Sequence, residues 1–244
     1  MPLLIVSIAV QILLIVHVLR TGRDPRWIFL MILLPPIGAL AYLIVEILPS
    51  LRHNPRFGRI LAGVRRAVNA DRNLRRDQLE FEANQSVESA VRLARELTRR
   101  GRSAEAIQVC NEVRQGIFKD DPKILVALSE AQFAHHDFAD TVATLDHLRK
   151  QHPEFRSPDA HLLYARALEE QDETDKALEE YEALSRYYPG AEARVRLALL
   201  NKKLGRTEAA RQMFESILQD ARLAPSHFRK SQREWIAIAE RESK

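Results

Sequence analysis

Residues 158 to 189 read PDAHLLYARALEEQDETDKALEEYEALSRYYP, and this stretch decides the fold. Apolar and small residues at Leu162, Leu163, Tyr164, Ala165, Ala167 and Leu168 predict one amphipathic helix. Ala177, Leu178, Tyr181, Leu184 and Tyr188 predict a second, which stops at Pro189-Gly190. A polar turn joins the two. A hairpin of this size cannot bury both of its apolar faces alone, so it requires neighbours of the same kind.

Such neighbours recur at intervals of 33 to 36 residues. The positions of Ala165, Ala177, Tyr181 and Pro189 correspond to Ser129, Thr141, Leu145 and Pro153 in the preceding unit. One unit earlier they are Ala94, Ala106, Cys110 and Phe118, and in the following unit Ala198, Ala210, Phe214 and Arg222. Arg100-Gly101-Arg102 and Leu204-Gly205-Arg206 supply turns in the first and fourth units. At these points the chain resembles the tetratricopeptide repeat family: a small residue midway along a first helix, a turn, an Ala opening the packed face of a second helix, an aromatic four residues on, and a terminal Pro.

The expected fold is all-α. Its parts are a two-helix transmembrane hairpin (1–50), basic amphipathic juxtamembrane helices (51–86), four helix pairs (about 87–121, 122–157, 158–190 and 191–224) and a capping helix (225–244) formed from Ser226 to Glu242. The cap, with Phe228, Trp235 and Ile238 on one side, would close the exposed apolar end of the array.

The hairpin rests on two apolar runs. Residues 2–19 hold no charged side chain and reach the short end of bilayer-spanning length. They lack a basic leader and a small-residue cleavage site, so they read as retained. Trp27 to Leu48 is the second run, interrupted by Pro35-Pro36 and Gly38, which predict a kink or a re-entrant path. The order Trp27, Pro35, Pro36, Gly38 and Tyr42 within Arg23 to Leu48 resembles the membrane hairpin ahead of phospholipase D-type enzymes such as cardiolipin synthases. That resemblance implies a bacterial inner-membrane anchor. Catalysis does not transfer with it, because those enzymes use His-x-Lys-x4-Asp and none of the eight histidines here has Lys two residues later. Gln11, His17 and Glu46 are the polar residues of the runs; the last two sit near run ends, where the interface solvates them.

Charge is unevenly placed in this 244-residue chain of net charge +4. Residues 51–75 hold seven Arg and one Asp, whereas residues 76–244 hold 27 Lys or Arg and 30 Asp or Glu. Arg52, Arg56, Arg59, Arg65 and Arg66 therefore read as a helix on an anionic membrane surface, or as a linker helix packed on the first repeat. Phe57 is the single Phe, Tyr or Trp among residues 51–75, and the array beyond is acidic, which argues against nucleic acid. Five Arg after the hairpin against three in its loop favour a cytoplasmic repeat domain.

No Gly-rich phosphate loop, hydrolytic constellation or paired metal-ligand spacing is present, so neither an enzyme nor a cofactor is expected. His135, His136, His147 and His152, near Asp137 and Asp146, read as surface histidines and not as metal ligands, because they spread from a turn to beyond a helix. The lone Cys110 reads as an inert packing residue.

The family resemblance implies that first helices line a binding groove. Transferred residue by residue, that gives Val91, Arg92, Arg95 and Arg99; Val126, Ala127, Glu130 and Phe133; Leu162, Leu163, Arg166 and Glu169; and Val195, Arg196, Leu199, Lys202 and Lys203. An apolar strip edged by cations would suit a protein or peptide with apolar anchors and acidic flanks. The carboxylate clamp of chaperone-cofactor repeats is absent, since Val91, Arg95, Ala127, Asp159 and Leu163 stand at its positions. The expected function is a non-enzymatic membrane-anchored adaptor. The alternative is an accessory subunit or regulator of a membrane phospholipid-synthesis enzyme.

Overall fold

The computed structural model describes residues 14–16, 18–20, 24, 26–33, 71–116 and 118–243. The chain divides into two units, Met1–Arg72 and Asn73–Lys244.

In the second unit the helices follow in pairs: α2 (Val87–Arg99) with α3 (Ser103–Val113), α4 (Pro122–Ala134) with α5 (Phe138–Gln151), α6 (Pro158–Glu170) with α7 (Thr174–Ser185), and α8 (Glu192–Lys203) with α9 (Thr207–Leu223). Three of the first helices are started by side chains. Ser86 Oγ accepts from the Ser89 amide, Asp121 from Lys123 and Ile124, and Ser157 from Ala160, with Pro122 and Pro158 in the first turns. These caps satisfy amides that a helix start leaves unpaired.

Each pair turns through one left-handed residue: Gly101 at φ 74, His136 at φ 66, Asp172 at φ 59 and Gly205 at φ 77. The residue after it donates its amide back to a carbonyl five residues earlier, Arg102 to Leu97, Asp137 to Gln132, Glu173 to Leu168 and Arg206 to Asn201, at 2.9 to 3.0 Å. This six-to-one bond closes the helix end as a Schellman cap. Glycine takes that conformation freely, and Asp and His are among the residues that tolerate it.

Small residues then allow close helix approach. Ala94, Ala106, Cys110, Ser129, Thr141, Leu145, Ala165, Ala177, Tyr181, Ala198, Ala210 and Phe214 are all buried. The two polar departures fit without an orphaned group: Ser129 Oγ donates to Val126 O at 2.8 Å and Thr141 Oγ1 to Asp137 O at 2.9 Å. Burial pushes the Cys110 thiol up to about 12, which leaves it protonated and unreactive.

Both ends of the array are covered. Residues 71–83 are helical, and Leu74 and Phe81 enter the core of the first pair. At the other end the single expected helix is broken into α10 (Ser226–Ser231) and α11 (Arg233–Glu242). The break falls at Gln232, whose side-chain oxygen accepts from the Ala191 amide at 2.9 Å and lies against Gly190. That tertiary bond fixes the chain where helical periodicity alone would have continued. Trp235 and Ile238 of α11 pack on a core containing Phe214 and Ile217.

In the first unit, residues 14–16 and 18–20 are helical, and α1 runs from Arg26 to Leu33. Leu14 and Val18 are buried against Ile15, Trp27 and Ile28, whereas Leu19, Phe29, Ile32 and Leu33 are exposed. Among the described residues no helix is long and apolar enough to cross a membrane. Most of the expected hairpin, including Pro35, Pro36 and Gly38, lies outside the described residues. So do Arg52, Arg56, Arg59, Arg65 and Arg66.

Candidate functional site

Two surfaces of the second unit bring polar and apolar side chains together. The first is the face built by α2, α4, α6 and α8, where the sequence places the groove. Here Val126 and Leu162 are corrected: both are buried, as are Ala127 and Val195, because they pack between helices. Phe133, Leu163 and Leu199 remain partly exposed on this face.

The cations of the face are engaged with carboxylates of the same chain. Arg95 makes a two-bond pair with Glu130 at 2.8 and 3.1 Å, joining the first two repeats. Arg92 pairs with Glu80 and approaches Asp77 at 4.0 Å, and Arg99 pairs with Glu96 at 2.8 Å. Lys202 meets Glu242 at 3.0 Å and Lys203 meets Asp172 at 3.6 Å.

The densest part of this network surrounds Arg196, whose side chain is 20% exposed. Arg196 lies 2.9 Å from Glu192 and 3.6 Å from Glu169, and its guanidinium stands 5.1 Å from the Trp235 ring centre. The Tyr181 hydroxyl donates to Glu169 at 2.6 Å, and burial followed by the Glu169 charge raises its pKa. Arg166 stacks 4.6 Å above Phe133 and comes within 3.9 Å of Glu192. The cations expected to edge the apolar strip thus pair within the chain, and around Arg196 they form a brace that links three repeats to α11.

The second surface is a cleft of about 640 Å³ between the end of α5, the His152–Ser157 connection, the start of α6 and Tyr187 beyond α7. Leu145, Leu148, Ala160 and Tyr164 form buried walls. Around them stand Arg149, His152, Arg156 and His161. His161 bonds through one nitrogen to Glu180 and through the other to the Tyr187 hydroxyl. Arg149 reaches Glu180 at 3.1 Å and stacks 5.1 Å from the centre of the Tyr164 ring. The hydrogen bond from His161 holds the Glu180 carboxyl below its ordinary pKa. Burial, with Asp146 next, pushes the Tyr164 phenol up to about 12.

Three other histidines have local hydrogen-bond partners. His147 meets Asp120 at 2.7 Å, His152 meets the Asp120 carbonyl at 2.6 Å, and His135 meets Ser103 at 3.1 Å. His135 and His136 are exposed and His147 and His152 partly so, and three of these four surface histidines pair locally. Among the described residues no group of three or more His, Cys, Asp or Glu could hold a metal ion. The sequence pattern does not mark Arg156, His161 and Tyr187 as site residues, because a connection and a helix end carry no periodic signal.

Two models of the tetratricopeptide repeat match the chain, at residues 132–198 and 192–221. Together with the paired helices they define the second unit as an all-α tetratricopeptide-repeat solenoid. No curated protein matches the chain in sequence. Solved structures with the same fold include the repeat protein TTC0263 of Thermus thermophilus, at 19% identity and TM-score 0.55, covering 74% of this chain and 95% of that one. MamA from Desulfovibrio magneticus RS-1 aligns at 14% identity and TM-score 0.58, covering 69% and 94%. The repeats of a kinesin light chain-type protein of Podospora anserina align at 19% and 0.51, covering 64% and 86%. At these identities the likeness concerns the fold alone. The phospholipase D-type resemblance falls on Arg23 to Leu48, of which Asp24 and residues 26–33 are described.

Proposed function

We propose that the chain is a non-enzymatic scaffold, anchored in a membrane by its N-terminal hairpin, whose solenoid recruits a protein or peptide partner. The observation that carries the reading is the distribution of apolar side chains in the first unit. Leu14 and Val18 are buried against Trp27 and Ile28, while Phe29, Ile32 and Leu33 are 76%, 66% and 79% exposed. Large apolar side chains turned outward from a narrow helix seam suit lipid better than water. A tethered array raises the local concentration of whatever it binds, and this requires no active site. On the same reading the membrane is the bacterial inner membrane and the solenoid faces the cytoplasm.

Alkaline carbonate extraction of membranes carrying the full chain tests the anchor. The protein should stay with the membrane, and the F29D/I32D/L33D variant should move to the supernatant, because each charge inside a spanning helix costs up to about 3 kcal/mol on insertion scales and three are introduced. Release of the unaltered chain would overturn the anchor. Photo-crosslinkers at Phe133 and Leu163 test recruitment independently: both should capture the same protein, and excess unlabelled solenoid should compete it away.

A further inference from the structure

We propose that the cleft between α5 and α7 is a docking site for an acidic peptide segment of a partner protein. The segment would insert one apolar side chain against Leu148 and Tyr164 and pair a carboxylate with Arg156. This rests on the scaffold reading and gives it a partner class and a place.

Size, wall and charge agree. About 640 Å³ lies within the range of ligand pockets, and the walls of Leu145, Leu148, Ala160 and Tyr164 are buried and therefore set by the core. The twelve lining residues include two Arg and two His but no Asp or Glu. Three of these four basic groups are already occupied. Arg149 is held by Glu180, His161 by Glu180 and Tyr187, and His152 by the Asp120 carbonyl, with Glu154 3.8 Å away.

Arg156 differs from them. Its Nη1 donates to the carbonyls of Pro153 and Phe155 in its own connection, and among the described residues it meets no carboxylate. Those two bonds hold the guanidinium at the rim and leave its Nε and Nη2 edge open. That edge is the geometry which accepts a carboxylate through two parallel bonds. An acidic ligand on the first-helix face would have to displace Glu130, Glu192 or Glu169 from an existing pair. At Arg156 it displaces water.

The test is fluorescence anisotropy with the full chain in detergent micelles and a fluorescein-labelled peptide, Asp-Glu-Phe-Glu-Asp. Binding should saturate, and it should weaken about tenfold when Phe is replaced by Ser and disappear when the acids are replaced by Lys. R156E should weaken it about tenfold and R156K by less, with far-UV melting curves unchanged. R95E, on the other face, should leave binding intact. The proposal is overturned if R156E binds like the unaltered chain, if R95E and not R156E abolishes binding, or if the unaltered chain does not bind. Sedimentation covers the remaining occupant: loss of self-association in R156E without loss of peptide binding would assign the cleft to a second copy of the chain. None of these outcomes touches carbonate extraction or crosslinking at Phe133 and Leu163, so a failed cleft and a failed scaffold are distinguishable.

Discussion

The first-helix face and the outer cleft are both rich in arginine, yet their arginines do different things. On the first-helix face, Arg95, Arg166 and Arg196 each reach a carboxylate on a neighbouring helix, and two of them also cover an aromatic ring. They hold repeat to repeat. In the cleft, Arg149 braces Glu180 while Arg156, among the described residues, hydrogen-bonds to carbonyl oxygens of its own connection and to no carboxylate. A count of cations along a helix therefore does not locate a binding surface. What matters is whether a carboxylate from the next repeat has already been brought within reach, because only an unpaired guanidinium gains a new charged partner without giving one up.

The comparison breaks first at Arg196. Its side chain is mostly buried between Glu192, Glu169 and Trp235, so R196A leaves Glu169 without its cation and Glu192 with only the more distant Arg166, in a poorly solvated place. We expect a loss of about 3 kcal/mol in urea unfolding, with peptide binding at the cleft unchanged. A loss below about 1 kcal/mol would mean that the face is not a brace, since that is the range of exposed pairs. Next in size is Y181F, which removes the donor to Glu169 while keeping the ring in the core. A loss of about 1.5 kcal/mol is expected, as for a hydrogen bond to a charged group.

One pair of the brace, and a second ion pair beside it, could have been read from the chain. Arg95 and Glu130 are 35 residues apart, as are Glu88 and Lys123, which pair at 3.1 Å. That separation is the repeat period, so residues at equivalent positions in adjacent repeats face one another, and opposite charges there predict an ion pair. The buried Ala and aromatic positions were legible for a related reason: close helix approach admits few side-chain shapes. The turns at His136 and Asp172 were less so, because the left-handed residue announces itself only where it is glycine. The break at Gln232 depends on a bond to Ala191, 41 residues away, which local pattern does not encode. Arg156 and Tyr187 lie in connections, where no helical register says which way a side chain points. The cleft was invisible for that reason.

Glu180 provides within the cleft the kind of pairing seen on the first-helix face, since it holds Arg149 and His161 at the cleft wall. Its folded pKa lies below the ordinary 4.5, chiefly through the His161 hydrogen bond. The stability it contributes is therefore complete above pH 4.5 and is lost as pH falls through the folded value. E180Q should cost about 1 kcal/mol at pH 7, and the gap between variant and unaltered chain should narrow below pH 4.5 in pH-dependent urea unfolding. A gap that stays constant into acid would remove the Glu180 carboxylate from the account of the wall.

Arg156 should give the smallest stability change. It is exposed, its hydrogen-bond partners among the described residues are carbonyls of its own connection, and its charge reaches the Tyr187 phenol across the cleft. Replacement by Glu should shift unfolding by no more than about 0.5 kcal/mol, the usual range for a surface site away from caps and networks. Arg95, which is about half exposed but paired across repeats, makes the matched control: R95Q should lose up to about 1 kcal/mol, and a double-mutant cycle with E130Q should return most of that as coupling. If R156E instead destabilised the chain more than R95Q, Arg156 would be a structural residue like the others. The distinction between a paired face and an open cleft would then fail at the residue on which it most depends.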